Sequence, residues 1–339
     1  MIIDIHGHYT TAPSPLEDFR DAQLAALATG QPAPLLAPIS DDQIRESIQT
    51  NQLRILTERG GDYMLFSPKA SGMQHHITDA EVANRWARAS NDLVHRVAEL
   101  FSVNFAPVAQ LPQTPAGNLA GVLAEINRTV TELGFVGVNL NPDPSGTWAG
   151  PPMTDESWFP VYELLEDLDV PAMVHVSTAC NPNFHTLGAH YLNADTSVFV
   201  QVLSGDLFAR FPQLRLVIPH GGGAVPYHWG RYRGLAMRYN WPAPESLLNN
   251  IFFDTCVYHQ PGIDLLTSVI PADNILFASE MLGAVRGADP ITGVAWDDTL
   301  VYVRGAGLPA TDLEKVLTGN ALRVYPRLTT RLKHRGLLA

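Results

Sequence analysis

Eight short aliphatic runs recur along the chain, and their rhythm restricts the fold more than any other feature. They are IIDI (2–5), YMLFS (63–67), FAPVA (105–109), GFVGVNL (134–140), PAMVHV (171–176), LRLVIPH (214–220), NIFFD (250–254) and NILFAS (274–279). Continuous apolar runs, as opposed to alternating ones, suit strands buried on both faces of a parallel sheet. Helical patterns fall between them, at 79–100, 116–132, 155–168, 196–210, 224–238 and 261–269, with two more at 296–306 and 310–325. Eight strands interleaved with helices predict an α/β fold, a (β/α)8 TIM barrel. The rival doubly wound nucleotide fold would place a G-x-G-x-x-G turn after the first strand, and MIIDIHGHYT has none.

No linker or internal repeat divides the chain, so residues 1–339 read as a single domain. One helical insertion, 9–61, separates the first two strands. Its second helical pattern opens with SDDQ, where Ser40 and Gln43 have the spacing of a capping box. Ile44, Ile48, Leu53 and Leu56 then supply an apolar face. A segment this long at the carboxyl end of a barrel strand serves as a lid, a subunit interface or extra packing mass.

Composition narrows the partners. Hydrophobic residues make up 46% of the chain and charged residues 17%, enough for a sizeable core. The net charge of -12 argues against nucleic acid, which needs a basic face. An anionic small molecule would have to be gripped by a few local cations. The two cysteines, Cys180 and Cys256, form no metal-type pair and no disulfide framework, which suits a reducing cytoplasm. No signal peptide and no apolar run of membrane-spanning length is evident, so a soluble cytoplasmic protein without membrane partners is expected.

Chemistry concentrates at the strand ends. His6 and His8 flank a glycine at the end of the first run, and residues i and i+2 of a strand point the same way. Glycine between them lets the backbone bend and a ligand approach. His175 closes the fifth strand, His220 the sixth, and Glu280 follows the eighth. Strand ends distant in sequence converge only at the mouth of a barrel, so three of these histidines with the carboxylate are expected to cage one Zn2+ or similar divalent ion, the other reading being that His175 and His220 are satisfied core histidines. The fourth strand ends GVNLN and lacks the lysine that two-metal barrels commonly carboxylate there, which favours a single metal.

These motifs resemble the amidohydrolase superfamily, in the branch typified by aminocarboxymuconate semialdehyde decarboxylase. Within it the similarity narrows to the 4-oxalomesaconate hydratases. It runs through MIIDIHGHYT, NLNPDPSG, HVSTACNPNFHTLGAHYLNADTSVF, IPHGGGAVPYHWGR, FFDTCVYHQPG, FASEMLGAVRG and NALRVYP. The decarboxylases and hydrolases of the branch carry aspartate where this chain has Glu280, whereas the hydratases carry glutamate. The resemblance therefore implies addition of water to the carbon–carbon double bond of 4-oxalomesaconate, in gallate or protocatechuate degradation. The alternatives are a metal-dependent decarboxylase or lactone hydrolase of the same superfamily, and a non-catalytic metal-binding barrel.

The resemblance also implies roles. His6, His8, His175 and Glu280 would surround the metal, with His220 and Glu280 handling protons; Glu280 would be ligand, base or both. Tyr191 resembles a substrate-contacting tyrosine, and a core tyrosine is the other reading. The long loop after the fifth strand also supplies His190 and Asn193. Lys69, in FSPKA, stands where the resembled enzymes tend to have arginine, so a point charge replaces a bidentate grip on a carboxylate. Asn141 and Arg286 are further substrate candidates, Arg286 being equally a solvated surface residue. The glycines of HGGG form either an anion site at a helix N-terminus or a tightly packed turn. Asp254 is expected to orient a ligand histidine, Arg231 and Arg233 to form structural pairs, and His75 and His76 to lie in a loop without chemistry. Relatives suggest a homodimer.

Overall fold

A computed structural model describes residues 1–32, 34–181 and 189–339. Eight strands appear where the aliphatic runs fall: β1 (Ile3–Tyr9), β2 (Tyr63–Pro68), β3 (Phe105–Gln110), β4 (Gly137–Leu140), β5 (Ala172–Val174), β6 (Leu216–Ile218), β7 (Ile251–Asp254) and β8 (Ile275–Leu276). All pair in parallel and in chain order, with helices between them, an α/β arrangement consistent with a TIM-like fold. The two ends of the sheet meet through backbone hydrogen bonds from Ile5 N to Phe277 O and from Glu280 N to His6 O, both 3.0 Å. Asp4 reinforces that seam by accepting from Ser279 N and Ser279 Oγ.

The strands are apolar throughout because each face is buried against something different. Ile3, Ile5, Leu65, Val108, Met173, Val217, Phe252 and Leu276 share one apolar cluster with Val324, Tyr325 and Leu328 near the C-terminus. Their neighbours Met64, Phe66, Phe105, Val138, Leu140, Leu216, Ile218 and Phe253 belong to a second cluster, packed with the helices. Continuing the first parity toward the carboxyl ends gives Ser67, Gln110, Asn139, His175, Asp254 and Glu280. The inner face is thus apolar below and polar at the strand ends.

β1 departs from this alternation. Its register against β2 shifts between Asp4 and Gly7, so that Ile5 joins the inner apolar cluster while the next residue, His6, also aims inward. A bulge re-aims side chains in this way. Gly7 then faces the opposite side, where a Cβ would sit 2.3 Å from Met64 Sδ and 3.1 Å from Leu65 O. The glycine of His-Gly-His is required by close packing against β2.

Between β1 and β2 run α1 (Ser14–Thr29), α2 (Asp41–Thr50) and α3 (Gln52–Glu58). The capping box is present: Ser40 Oγ accepts from Gln43 N, and Gln43 Oε1 accepts from Ser40 N. Ile44, Ile48 and Leu56 are buried as the periodicity requires. Then come α4 (Ala80–Leu100), α5 (Leu119–Asn127), α6 (Phe159–Asp167) and α7 (Ala189–Leu203). The start of α7 lies well before the expected 196. Its early turns bury a carboxylate, Asp195, and apolar periodicity cannot register that. Among the described residues, no helix is long and apolar enough to cross a membrane.

Gly7→Ala is expected to destabilise the fold by about 1–3 kcal/mol, because the fully buried Met64 side chain would have to shift to admit the methyl group. Urea denaturation checks this; an unchanged midpoint would contradict the packing role assigned to the glycine.

Candidate metal centre

Three imidazoles converge at the inner strand ends. His8 Nε2 lies 3.0 Å from His6 Nε2 and 3.1 Å from His175 Nε2. All three residues are buried. Their far nitrogens decide what these contacts mean. His6 Nδ1 donates to Asp254 Oδ2 at 2.8 Å, and His175 Nδ1 donates to Val176 O at 2.8 Å. Both rings therefore carry their proton on Nδ1 and present a bare lone pair at Nε2. His8 Nδ1 lies 2.7 Å from Ser67 Oγ, which also receives Asn139 Nδ2 and faces the carbonyls of Gly7 and Pro68. With the hydroxyl proton given to a carbonyl, His8 Nδ1 donates as well, and three lone pairs meet at one point.

Three converging lone pairs repel one another unless a cation sits among them, so this donor set fits a divalent ion. Electrostatics agree. Burial, then the neighbouring imidazoles, hold His8 and His175 far below the ordinary histidine range, which keeps both neutral as ligands must be. For Asp254, burial alone would raise the pKa, but hydrogen bonding from His6, the nearby His220 charge and the Gly221 N–H lower it overall. Asp254 also accepts from Gly221 N and Cys256 N through Oδ1, so the group orienting His6 is itself fixed.

Two further groups complete the cluster. One donor atom from each of His6, His175, His220 and Glu280 lies within 4.8 Å of the others. His220 and Glu280 both adopt left-handed backbone, with φ of 53° and 50°. Non-glycine residues reach that region at a cost of roughly 1–3 kcal/mol, and such strain concentrates at functional sites. His220 is gripped by α7 on one turn: Asp195 Oδ2 accepts from its Nδ1 at 2.8 Å, and the Tyr191 ring lies 4.4 Å from its own, tilted by 32°. Its Nε2 is left facing Glu280 Oε2 at 3.7 Å. Burial disfavours the imidazolium, but Asp195, Glu280 and Asp254 outweigh it and raise the His220 pKa to about 9. A divalent ion alongside would oppose that rise. Tyr258 donates its hydroxyl to Glu280 Oε2 at 3.0 Å.

A cavity of about 300 Å³ opens onto the cluster, lined by His8, His175, Glu280, Tyr191, His190, Lys69 and Arg286. Lys69 is exposed. Arg286 is exposed too and donates to the carbonyls of Gly283 and Leu282 in its own turn. Asn141 and Asn193 lie outside this cavity. Asn141 is buried, with its side chain bound to Asp143 N and His75 Nδ1, and Asn193 is exposed on α7. His190, Tyr191 and Asn193 are helical, where the sequence suggested a loop. Residues 182–188, within the HVSTACNPNFHTLGAHYLNADTSVF motif, lie outside the described residues.

Other expectations change. His75 is buried, bonded to Leu111 O and Asn141, and burial depresses its pKa to about 4; it supports the wall behind Ser177. The HGGG glycines are a packing device. All three have positive φ, and Cβ atoms on them would lie 2.5 Å from Val257, Phe253 and Leu192 atoms. The next helix begins only at Trp229, so its N-terminus is not built from these glycines. Arg233 pairs with Glu245 at 3.3 Å. Sequence reasoning passed over Asp195, Ser67 and Tyr258. Asp195 had a usable signal, since it sits four residues after Tyr191 and shares its helix face.

Residues 3–327 match the family described as Amidohydrolase. The chain is 55% identical over 339 residues to 2-keto-4-carboxy-3-hexenedioate hydratase of Sphingobium sp., covering 99% of each chain. The crystal structure of 4-oxalomesaconate hydratase from Rhodopseudomonas palustris superposes with a TM-score of 0.92 at 52% identity, covering 99% of both chains. Gamma-resorcylate decarboxylase of Polaromonas sp. is 26% identical over 82% of this chain and 87% of its own.

Purified protein is expected to carry about one divalent ion per chain, and His175→Asn to lower that content without abolishing cooperative unfolding. Elemental analysis beside thermal unfolding measures both. Asp195→Asn should cut turnover about 10²-fold at unchanged metal content, because His220 loses the carboxylate charge that holds its Nδ1 proton in place and favours its charged form. Full activity in that variant would remove Asp195 from the site's design.

Proposed function

The chain belongs to the amidohydrolase family, and from that premise we propose that it is a metal-dependent hydro-lyase adding water across the carbon–carbon double bond of 4-oxalomesaconate. The product is 4-carboxy-4-hydroxy-2-oxoadipate, in the breakdown of gallate or protocatechuate. The observation that carries this reading is the end-to-end likeness to two hydratases, far above the likeness to the decarboxylase.

His6, His8 and His175 would hold the ion, with Glu280 beside it, and Zn2+ suits a site rich in imidazole. When bound, a divalent ion supplies Lewis acidity that makes water acidic near neutral pH. The chain's own groups do the rest. Glu280 accepts a proton from the attacking water and returns one to the carbon next to the ketone. His220 Nε2, aimed by Asp195 and raised toward its charged form, hydrogen-bonds the keto oxygen as negative charge moves onto it. Tyr191, stacked on His220, can donate to a substrate carboxylate.

A tricarboxylate needs cations in a chain of net charge -12. Lys69 and Arg286 line the cavity, and Lys69 takes part as a flexible point charge. His190 is a further wall residue, Asn141 supports the wall through Ser177, and Asn193 lies exposed outside it. We read residues 1–339 as one barrel unit, with 9–61 as an insertion beside the cavity mouth: Thr10, at the start of that segment, lines the cavity.

The deciding experiment follows loss of the substrate's conjugated absorbance with metal-loaded and chelated protein. Loss only with metal is expected; release of carbon dioxide, or turnover of a lactone with none of the tricarboxylate, would falsify the hydratase reading. Glu280→Gln should lower kcat by at least roughly 10²-fold with the fold intact. Lys69→Met should raise KM about tenfold with kcat nearly preserved, since it removes binding common to ground and transition states.

A further inference from the structure

We propose that Tyr258 is a positioning residue for Glu280, its phenol clamping Oε2 so that the carboxylate is held toward His220. The proposal rests on the functional reading above only for its kinetic consequence.

Three observations meet at this side chain. The Tyr258 hydroxyl donates to Glu280 Oε2 at 3.0 Å, from a ring packed against the inner apolar cluster. A carboxylate oxygen only accepts, so the phenol must keep its proton to make this bond. Gly283 also packs against this residue, and its N donates to Glu280 O at 2.9 Å. A Cβ at Gly283 would lie 3.0 Å from both Cγ and Cδ of Glu280 and 2.7 Å from its carbonyl oxygen. The carboxylate arm therefore has a hydrogen-bond donor at its tip and a glycine close against its stem. Finally, Glu280 itself sits in left-handed backbone, a conformation that persists only where the surroundings impose it.

The clamp has a consequence for which acid occupies this position. Aspartate is shorter by one carbon–carbon bond, about 1.5 Å, and from the same backbone its carboxylate would fall short of the phenol. Tyr258 and the longer acid form a matched pair. With the phenol taking one lone pair of Oε2, that oxygen still faces His220 Nε2 at 3.7 Å, so the bond fixes the relative placement of the two groups assigned to proton handling.

The test is Tyr258→Phe, which deletes one oxygen from a partly buried ring. A hydrogen bond to a charged group is expected to count for about tenfold or more in kcat, with KM within about twofold of wild type. A second readout needs no turnover: Zn2+ affinity, by competition with a chelator, in the four proteins of a cycle made from Tyr258→Phe and Glu280→Asp. The phenol deletion should weaken binding several-fold in the parent and change nothing in the Glu280→Asp background, where the shorter arm cannot reach. Equal effects in both backgrounds, or none in kcat and affinity alike, overturn the proposal. If the wild type fails to hydrate the tricarboxylate, the functional reading falls while the Zn2+ cycle still decides the role of Tyr258.

Discussion

Three imidazole nitrogens with bare lone pairs, two of them held about 3 Å from the third, are a repulsive arrangement that a cation relieves. Everything around the inner strand ends serves that arrangement. Asp254, Ser67 and the Val176 carbonyl take the far-side protons, so each ring is turned and its tautomer selected before any ion arrives. Burial keeps His8 and His175 neutral. The acidic partners compensate for the charge that an ion would bring into a low-dielectric interior.

The two groups that do not complete this trio are held differently. His220 and Glu280 sit on strained backbone just past their strands, and each is steadied by a partner from a distant segment. α7 brings Tyr191 and Asp195 to the His220 ring, and the chain after β7 brings Tyr258 to Glu280. The division of labour proposed above would draw on this geometry. Nitrogens locked by unstrained strand ends suit permanent ligation, whereas groups on short turns suit work on protons. The same cavity wall supplies Lys69 and Arg286, the cations that an anionic substrate would meet at the rim on the proposed reading.

Much of this was legible beforehand. The eight aliphatic runs placed all eight strands, because burial on both faces leaves a pattern that needs no tertiary information. The gathering of His6, His8, His175, His220 and Glu280 at the strand ends could be read from their positions, but the way His6 comes to aim inward could not. The bulge in β1 was not legible. Strict alternation from Ile3 would send His6 to the outer face, and the register shift that corrects it depends on how Met64 and Leu65 pack against Gly7. The early turns of α7 escaped notice because they bury a carboxylate rather than an apolar stripe. The glycine turn after His220 carried two readings until its contacts with Phe253, Val257 and Leu192 distinguished them.

The primary sequence by itself determined the class of fold, the end of the sheet where polar chemistry gathers and the residue types able to bind a cation there. Those depend on hydrophobic periodicity and on residue type, both local properties of the chain. Only the tertiary structure decided which partner holds each functional group: Asp254 for His6, Ser67 for His8, Asp195 for His220 and Tyr258 for Glu280. Such pairings join segments up to 248 residues apart, and hydrogen-bond geometry between them exists only once the strands and helices have packed.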